Sequence, residues 1–289
     1  MSRQGFLPLR MTSDLRDRLR RALTEDVGRG DVTTQAVIER PAPGRAVILA
    51  RERGVVCGLP VVAKVFRLAN RRLRVRALRR DGESVGNGDE VLDVRGDLAS
   101  ILTAERVALN FLQRLSGIAT LTRRYVEALR GRSTQILDTR KTTPLWRDLE
   151  KYAVRVGGGV NHRLGLDDMA LIKNNHADAA GGLAEAIRRV KRAQQGRRRL
   201  PIMAEARDLN EVRAAVAEKA DMILLDNFSR VGLRRALREI PPTILTEASG
   251  GMTPARVRAL ADLGLDRISV GALTHSAPAL DFSLRYRKP

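Results

Sequence analysis

The sequence predicts an α/β protein in two regions: a mixed helix-and-strand N-terminal part, then a TIM-like α/β barrel, complete or open. Three observations carry this. After residue 135 short apolar runs recur, each ending in polar or charged residues. Amphipathic helical segments lie between them from the third run on, and continuous apolar strands alternating with helices imply a parallel sheet covered by helices. The chain, 289 residues and 43% hydrophobic, can bury one large core or two smaller ones.

Taken in order, "SDLRDRLRRALTEDV" has helical spacing behind a candidate N-cap at Ser13. "GRAVILARERGVVCGL" and "RLRVRALRRDGESVGNGDEVLDVRG" read as strands joined by glycine turns. A long helical stretch follows from Ala99 to Leu129, with Gly117 predicted to break it into two helices. The strand-like runs are then "QILDTRK", "VGGGVNHR", "MALIKNNH", "PIMAEAR", "MILLDNF", "TILTEASGG" and "RISVGALTH". Helices are expected at 181–195, 209–219, 229–240 and 253–264, the last with Thr253 as N-cap and Pro254 at the first helical position.

Composition excludes several classes. Residues 1–12 lack the apolar core of a secretory signal, and no later stretch approaches the roughly 18 consecutive apolar residues of a membrane span, so a cytoplasmic protein without membrane contact is expected. The single cysteine, Cys57, has no partner for an internal disulfide and reads as a small core residue. A formal charge of +20 would suggest nucleic acid, yet only 7 of the 53 basic residues are lysine, the arginines are spread along helices, and the 9 aromatic residues are too scattered to stack bases. No specific nucleic-acid partner is expected. The excess charge instead favours anionic small molecules.

In a barrel of parallel strands the active site lies at the strands' C-terminal ends. Arg140, Lys141, His162, Arg163, Lys173, Glu205 and Asp226 occupy those ends, together with two glycine turns, Ser249-Gly250-Gly251 and Gly271-Ala272, after the last two strands. Five cations, two acids and free backbone N–H groups fit a multiply anionic, phosphorylated ligand with a divalent metal. Thr139 and Asn161 read as supporting residues of the same strand ends.

The blocks "LTEDVGRGDVTT", "AERVALNFLQRLSGIAT", "DTRKTTP", "LEKYAVRVGGGVNHRLGLDD", "LIKNNH", "AEA", "ILLDN", "EASGG" and "ISVGALTHSAPALDFSL" follow one another along nearly the whole chain. In this order they resemble the quinolinate phosphoribosyltransferases, the carboxylating nicotinate-nucleotide pyrophosphorylases. The resemblance implies an N-terminal α/β sandwich domain over 1–116, an α/β barrel catalytic domain over 117–275, and a segment 276–289 that returns to the first domain. It implies the joining of quinolinate to 5-phosphoribosyl-1-pyrophosphate with decarboxylation, in NAD biosynthesis, using Mg²⁺ and no organic cofactor. Arg140, His162, Arg163 and Lys173 would surround the dicarboxylate, and Arg106 would reach in from the other subunit of a homodimer. Lys141 would face the pyrophosphate and ribose, while Glu205 and Asp226 would hold the metal or the ribose hydroxyls.

Two positions depart from the family's pattern. Leu145-Trp146 follows Pro144 where a glycine and an apolar residue are usual, and Asn174 stands where an acid is usual. Rival readings are a related transferase with a different acceptor, which would not require the full set of cations, and a basic binding protein without catalysis, which the acid pair argues against.

Overall fold

A computed structural model describes residues 8–38 and 40–288, so the first seven of the residues read above as lacking a secretory core lie outside it. Among the described residues no helix is long and apolar enough to cross a membrane. The chain begins with α1 (Ser13–Val27), α2 (Val32–Val37), β1 (Pro43–Ala50), β2 (Gly54–Val55), α3 (Leu59–Ala69), β3 (Arg74–Ala77), β4 (Ser84–Val85), β5 (Glu90–Asp97) and α4 (Leu98–Ala128). It continues through β6 (Gln135–Leu137), α5 (Arg147–Gly157), β7 (Ala170–Ile172), α6 (Asn174–Ala180), α7 (Leu183–Ala193), β8 (Ile202–Ala206) and α8 (Leu209–Ala217). Last come β9 (Met222–Asp226), α9 (Arg230–Glu239), β10 (Leu245–Ser249), α10 (Pro254–Leu260), β11 (Arg267–Ser269), α11 (Ala272–His275) and β12 (Phe282–Arg287). Two compact units result: Met1–Arg123 with Asp148–Gly158 and Ala277–Pro289, and Arg124–Arg147 with Gly159–Ser276.

The first unit is built on an antiparallel sheet in the order β12-β1-β5-β3. Its helices bury apolar stripes, as in α1, where Leu15, Leu19 and Leu23 recur every fourth residue. Thr12, not Ser13, caps α1: its backbone is extended and its hydroxyl accepts the Leu15 N–H at 3.1 Å, while Ser13 is already helical. Cys57 is fully buried, its N–H donating to the Ser116 hydroxyl, and burial pushes its thiol well up. Gly117 does not break α4, which runs unbroken from Leu98 to Ala128. A Cβ at Gly117 would stand 1.9 Å from the Pro278 carbonyl oxygen, so the glycine permits close packing and not a bend.

Helix α5 was not expected from the sequence. It belongs from Asp148 onward to the first unit, held by buried polar pairs: Arg114 to Glu150 at 2.8 Å and the Tyr152 hydroxyl to Asp81 at 2.7 Å. Its buried residues include the charged Glu150 and Lys151 beside Leu149, Tyr152, Ala153 and Val154.

The second unit is a six-stranded parallel sheet in the order β6-β11-β10-β9-β8-β7, with helices between successive strands. The second predicted strand, "VGGGVNHR", contributes only an isolated bridge between Val160 and Leu137. Its first glycine ends α5 and its second has φ of 97°, leaving too few residues for an extended run. The barrel is therefore open: among the described residues no ladder joins β7 to the Val160 segment. Met169, Met203, Met222 and Leu224 fill its interior, packed against Leu171. The four predicted helices are present as α7 to α10, and Thr253 caps α10 with Pro254 in its first turn.

Candidate active site

At the C-terminal ends of the barrel strands lies a cavity of about 720 Å³. It is lined by Thr139, Arg140, Lys141, His162, Arg163, Lys173, Glu205, Asp226, Ser249, Gly250, Gly251, Gly271 and Ala272, every predicted site residue except Arg106. Arg106 stands exposed on α4 in the first unit. Leu171, Leu224, Asn227, Glu247, Met252, Ser269 and His275 complete the lining.

The cations lie where strands give way to loops. Asp138, fully buried at the end of β6, accepts the Asn161 side-chain amide at 2.6 Å and the His162 N–H at 2.8 Å, fixing the segment that carries His162 and Arg163. Thr139 Oγ1 accepts the Lys141 N–H at 3.0 Å, and Thr274 donates to the Lys141 carbonyl at 2.8 Å. Arg163 is 9% exposed and donates one guanidinium N–H to the Met169 carbonyl. Burial, and then the positive charge of Arg140, hold the Arg163 guanidinium below its ordinary value. The Arg140 Nε is buried without a hydrogen-bond partner. Among the described residues no carboxylate forms an ion pair with Arg140, Lys141, Arg163 or Lys173. Asp168 offsets the repulsion on Arg163 only in part, so the cavity keeps a cluster of like charges at this pole.

The two acids form a second pole. Burial, and then the Asp226 charge, push the Glu205 carboxyl up, although the Asn174 backbone N–H donates to it. Asp226 is oriented on both oxygens, accepting the Ser249 hydroxyl at 2.6 Å and the Asn227 amide at 2.9 Å. Asn227 holds φ of 57°, and a Cβ on Gly250 would come within 2.0 Å of its side-chain oxygen, so this turn requires glycine.

Family models match the chain over both halves: "Quinolinate phosphoribosyl transferase, N-terminal domain" over residues 31–116 and "C-terminal domain" over 118–285. The chain belongs to the quinolinate phosphoribosyltransferase family. It is 44% identical over 279 residues to the "Nicotinate-nucleotide pyrophosphorylase [carboxylating]" of Mycobacterium leprae, covering 93% of this chain and 96% of that protein. To the "Probable nicotinate-nucleotide pyrophosphorylase [carboxylating]" of Synechocystis it is 42% identical over 270 residues, covering 92% and 90%. The crystal structure of NadC from Streptococcus pyogenes superimposes with a TM-score of 0.91 at 38% identity, covering 99% of this chain and 100% of that one.

For a quinolinate phosphoribosyltransferase the acid pole suits a hard dication. Among the described residues no group of three or more His, Cys, Asp or Glu side chains could hold a metal ion by itself, and the acid pole consists of two carboxylates, Glu205 and Asp226. The sequence reading missed Asp138, Glu247 and Asn227. For Asp138 and Glu247 the signal was present: an acid inside or directly after an apolar strand run, as in "ILDTRK" and "TILTEASGG", is a charge at a position that is otherwise buried. His162 Nδ1 accepts the Arg163 N–H at 2.8 Å.

The departures from the family pattern also find places. Leu145 holds φ of 64°, the left-handed conformation a glycine would adopt freely, so the loop keeps the glycine geometry without the glycine. Arg147 braces that loop through Thr142 and the Leu164 carbonyl. The Asn174 side-chain oxygen is buried without a partner, and the residue's backbone N–H serves Glu205.

Proposed function

We infer that this chain transfers the phosphoribosyl group of 5-phosphoribosyl-1-pyrophosphate to quinolinate and releases carbon dioxide, giving nicotinate mononucleotide and pyrophosphate. The observation that carries this reading is the gathering of cations in one cavity: the buried Arg163, which burial and the charge of Arg140 hold below its ordinary value, Arg140 with its Nε buried and unbonded, and Lys173, none of which forms an ion pair with a carboxylate among the described residues. Quinolinate supplies two adjacent carboxylates, and a guanidinium's planar fork grips a carboxylate through two parallel hydrogen bonds. A monocarboxylate would leave buried positive charge unmatched, which disfavours the rival acceptors.

The same reading gives the remaining roles. The Ser249-Gly250-Gly251 and Gly271-Ala272 turns offer backbone N–H groups to phosphate, and Lys141 lies beside Gly271 to meet the pyrophosphate. Glu205 and Asp226 would hold Mg²⁺, which when bound offsets the negative charge of the leaving pyrophosphate. As the bond to pyrophosphate breaks, positive charge grows on the anomeric carbon, and the ring nitrogen of quinolinate, held by its two carboxylates, supplies the electron pair of the new bond. The nitrogen is then cationic, so the electron pair left by departing carbon dioxide on the adjacent carbon is stabilised. A proton from solvent completes the product.

Incubation with quinolinate, phosphoribosyl pyrophosphate and Mg²⁺ should yield nicotinate mononucleotide, while nicotinic acid in place of quinolinate should not. Comparable turnover of nicotinic acid would remove the dicarboxylate reading. The same reading gives Arg106 to the site of a partner subunit in a homodimer of the reducing cytoplasm. Mixing inactive Arg106→Ala and Lys141→Ala subunits should then restore up to about a quarter of wild-type activity, because mixed dimers keep one intact site. No recovery in proven mixed dimers would return Arg106 to its own chain.

A further inference from the structure

Glu247 lies within β10, and it is 1% exposed. Both carboxylate oxygens are buried without a hydrogen-bond donor, although the residue lines the cavity. A carboxylate so placed is strongly disfavoured unless something positive or proton-donating faces it. In the protein the near group is His162, whose Nε2 stands 3.5 Å from Glu247 Oε1. Because Nδ1 of that ring accepts the Arg163 N–H, its neutral form carries the proton on Nε2, pointing at Glu247. At 3.5 Å this is an electrostatic contact and not a formed hydrogen bond. One weak contact does not account for a buried charge.

The substrates in their ground states add little. Quinolinate is a dianion whose two carboxylates and ring nitrogen are all acceptors, and the phosphates are acceptors as well; ribose hydroxyls alone can donate. A buried carboxylate in this cavity therefore repels the bound dianion. The reaction changes the sign of what it faces. Charge becomes positive first on the anomeric carbon, as the carbon–oxygen bond breaks with its electron pair leaving on pyrophosphate, and then on the ring nitrogen, as its lone pair forms the new bond.

Resting on the phosphoribosyl-transfer reading above, we propose that Glu247 is the counter-charge for the cation the reaction creates, acting through the field in the barrel and not by binding substrate. Interactions stronger in the transition state than in the ground state raise kcat, and one that opposes ground-state binding as well raises KM. Glu247 is a residue of this kind, with Arg140, Arg163 and Lys173 overcoming its repulsion to hold quinolinate in place.

The test is Glu247→Gln, which keeps the shape and removes the charge, with Glu247→Asp as the charge-retaining companion. Quinolinate affinity is measured by calorimetry without phosphoribosyl pyrophosphate, and kcat in the full assay. For Glu247→Gln we expect kcat to fall at least about tenfold while quinolinate binds as tightly as to wild type or more tightly. Glu247→Asp should keep more of kcat than Glu247→Gln. A residue that merely supports the fold would lose affinity and rate together. Weaker quinolinate binding with kcat retained would overturn the proposal, as would a Gln variant with wild-type kcat. If Glu247→Gln does not fold, the Asp variant decides alone: a wild-type fold with kcat no better than that of Glu247→Ala would sink the idea. A wild-type protein that forms no nicotinate mononucleotide would instead fail the functional reading, a result distinct from any of these.

Discussion

Arginine serves two opposite purposes in the second unit, and the outer helices and the barrel mouth show them side by side. Around the helices many arginines have an acid. Glu185 receives Arg188, Arg189 and Arg192; Arg207 reaches Asp178 and Glu211; Arg213 pairs with Glu239, and Arg230 with Asp262. Hydrogen bonds from Arg188, Arg192 and Arg189 pull the Glu185 carboxyl down to about 2. At the mouth, Arg140 and Arg163 stand beside each other, the second is held below its ordinary value by burial and by the first, Asp168 offsets this only in part, and among the described residues neither forms an ion pair. The same guanidinium is ion-paired on the outer surface and without an ion pair at the mouth. A net charge of +20 therefore says less than the local balance does.

The contrast breaks most sharply at Arg140. Arg140→Lys keeps the charge and removes the fork, and kcat/KM should fall at least about a hundredfold, equivalent to about 2.7 kcal/mol, with little change in Tm. A near-wild-type rate would put Arg140 in the class of the outer-helix arginines.

Next in size is Glu205→Gln. Activity should fall at least about tenfold and more Mg²⁺ should be needed for half-maximal rate. Stability should move the other way. A carboxyl raised in the folded state contributes stability that is present below its unfolded value and lost as pH rises through the folded one. Without Mg²⁺ the Gln variant should therefore melt higher than wild type at and above neutral pH, and the difference should vanish below the ordinary carboxylate range. Equal melting at every pH would mean that Glu205 carries no strain of this kind.

A smaller effect is expected on the helix surface. Glu185→Gln should leave kcat/KM unchanged and shift Tm by no more than about 2 °C at neutral pH, since exposed ion pairs contribute little. Because the Glu185 carboxyl is lowered, its contribution is present above the ordinary carboxylate range and fades as pH falls toward about 2. Thermal melts across that range measure it.

The smallest concerns Leu145. Leu145→Gly relieves a left-handed leucine but loosens the unfolded chain, two terms of about 1 kcal/mol and opposite sign, so stability should change by under about 0.5 kcal/mol. A large loss of kcat/KM in this variant would show that the strained loop itself shapes the mouth.

Much of this molecule is written locally. The apolar strand runs, the helices between them and the polar residues at the strand ends follow from period and position, so the barrel and nearly all of its mouth are legible residue by residue. Three features are not, and each depends on a neighbour far along the chain. Gly117 looks like a helix breaker until the Pro278 carbonyl is placed against it. Helix α5 buries the charged Glu150, whose partner Arg114 lies 36 residues earlier on α4. His162 reads as one more strand-end residue, and only the fold brings its Nε2 to 3.5 Å from Glu247. Sequence fixes which groups can carry charge, because that is intrinsic to each side chain. Whether a charge is paired, buried or left waiting depends on which groups the fold brings within a few ångströms of it, and that only the tertiary structure decides.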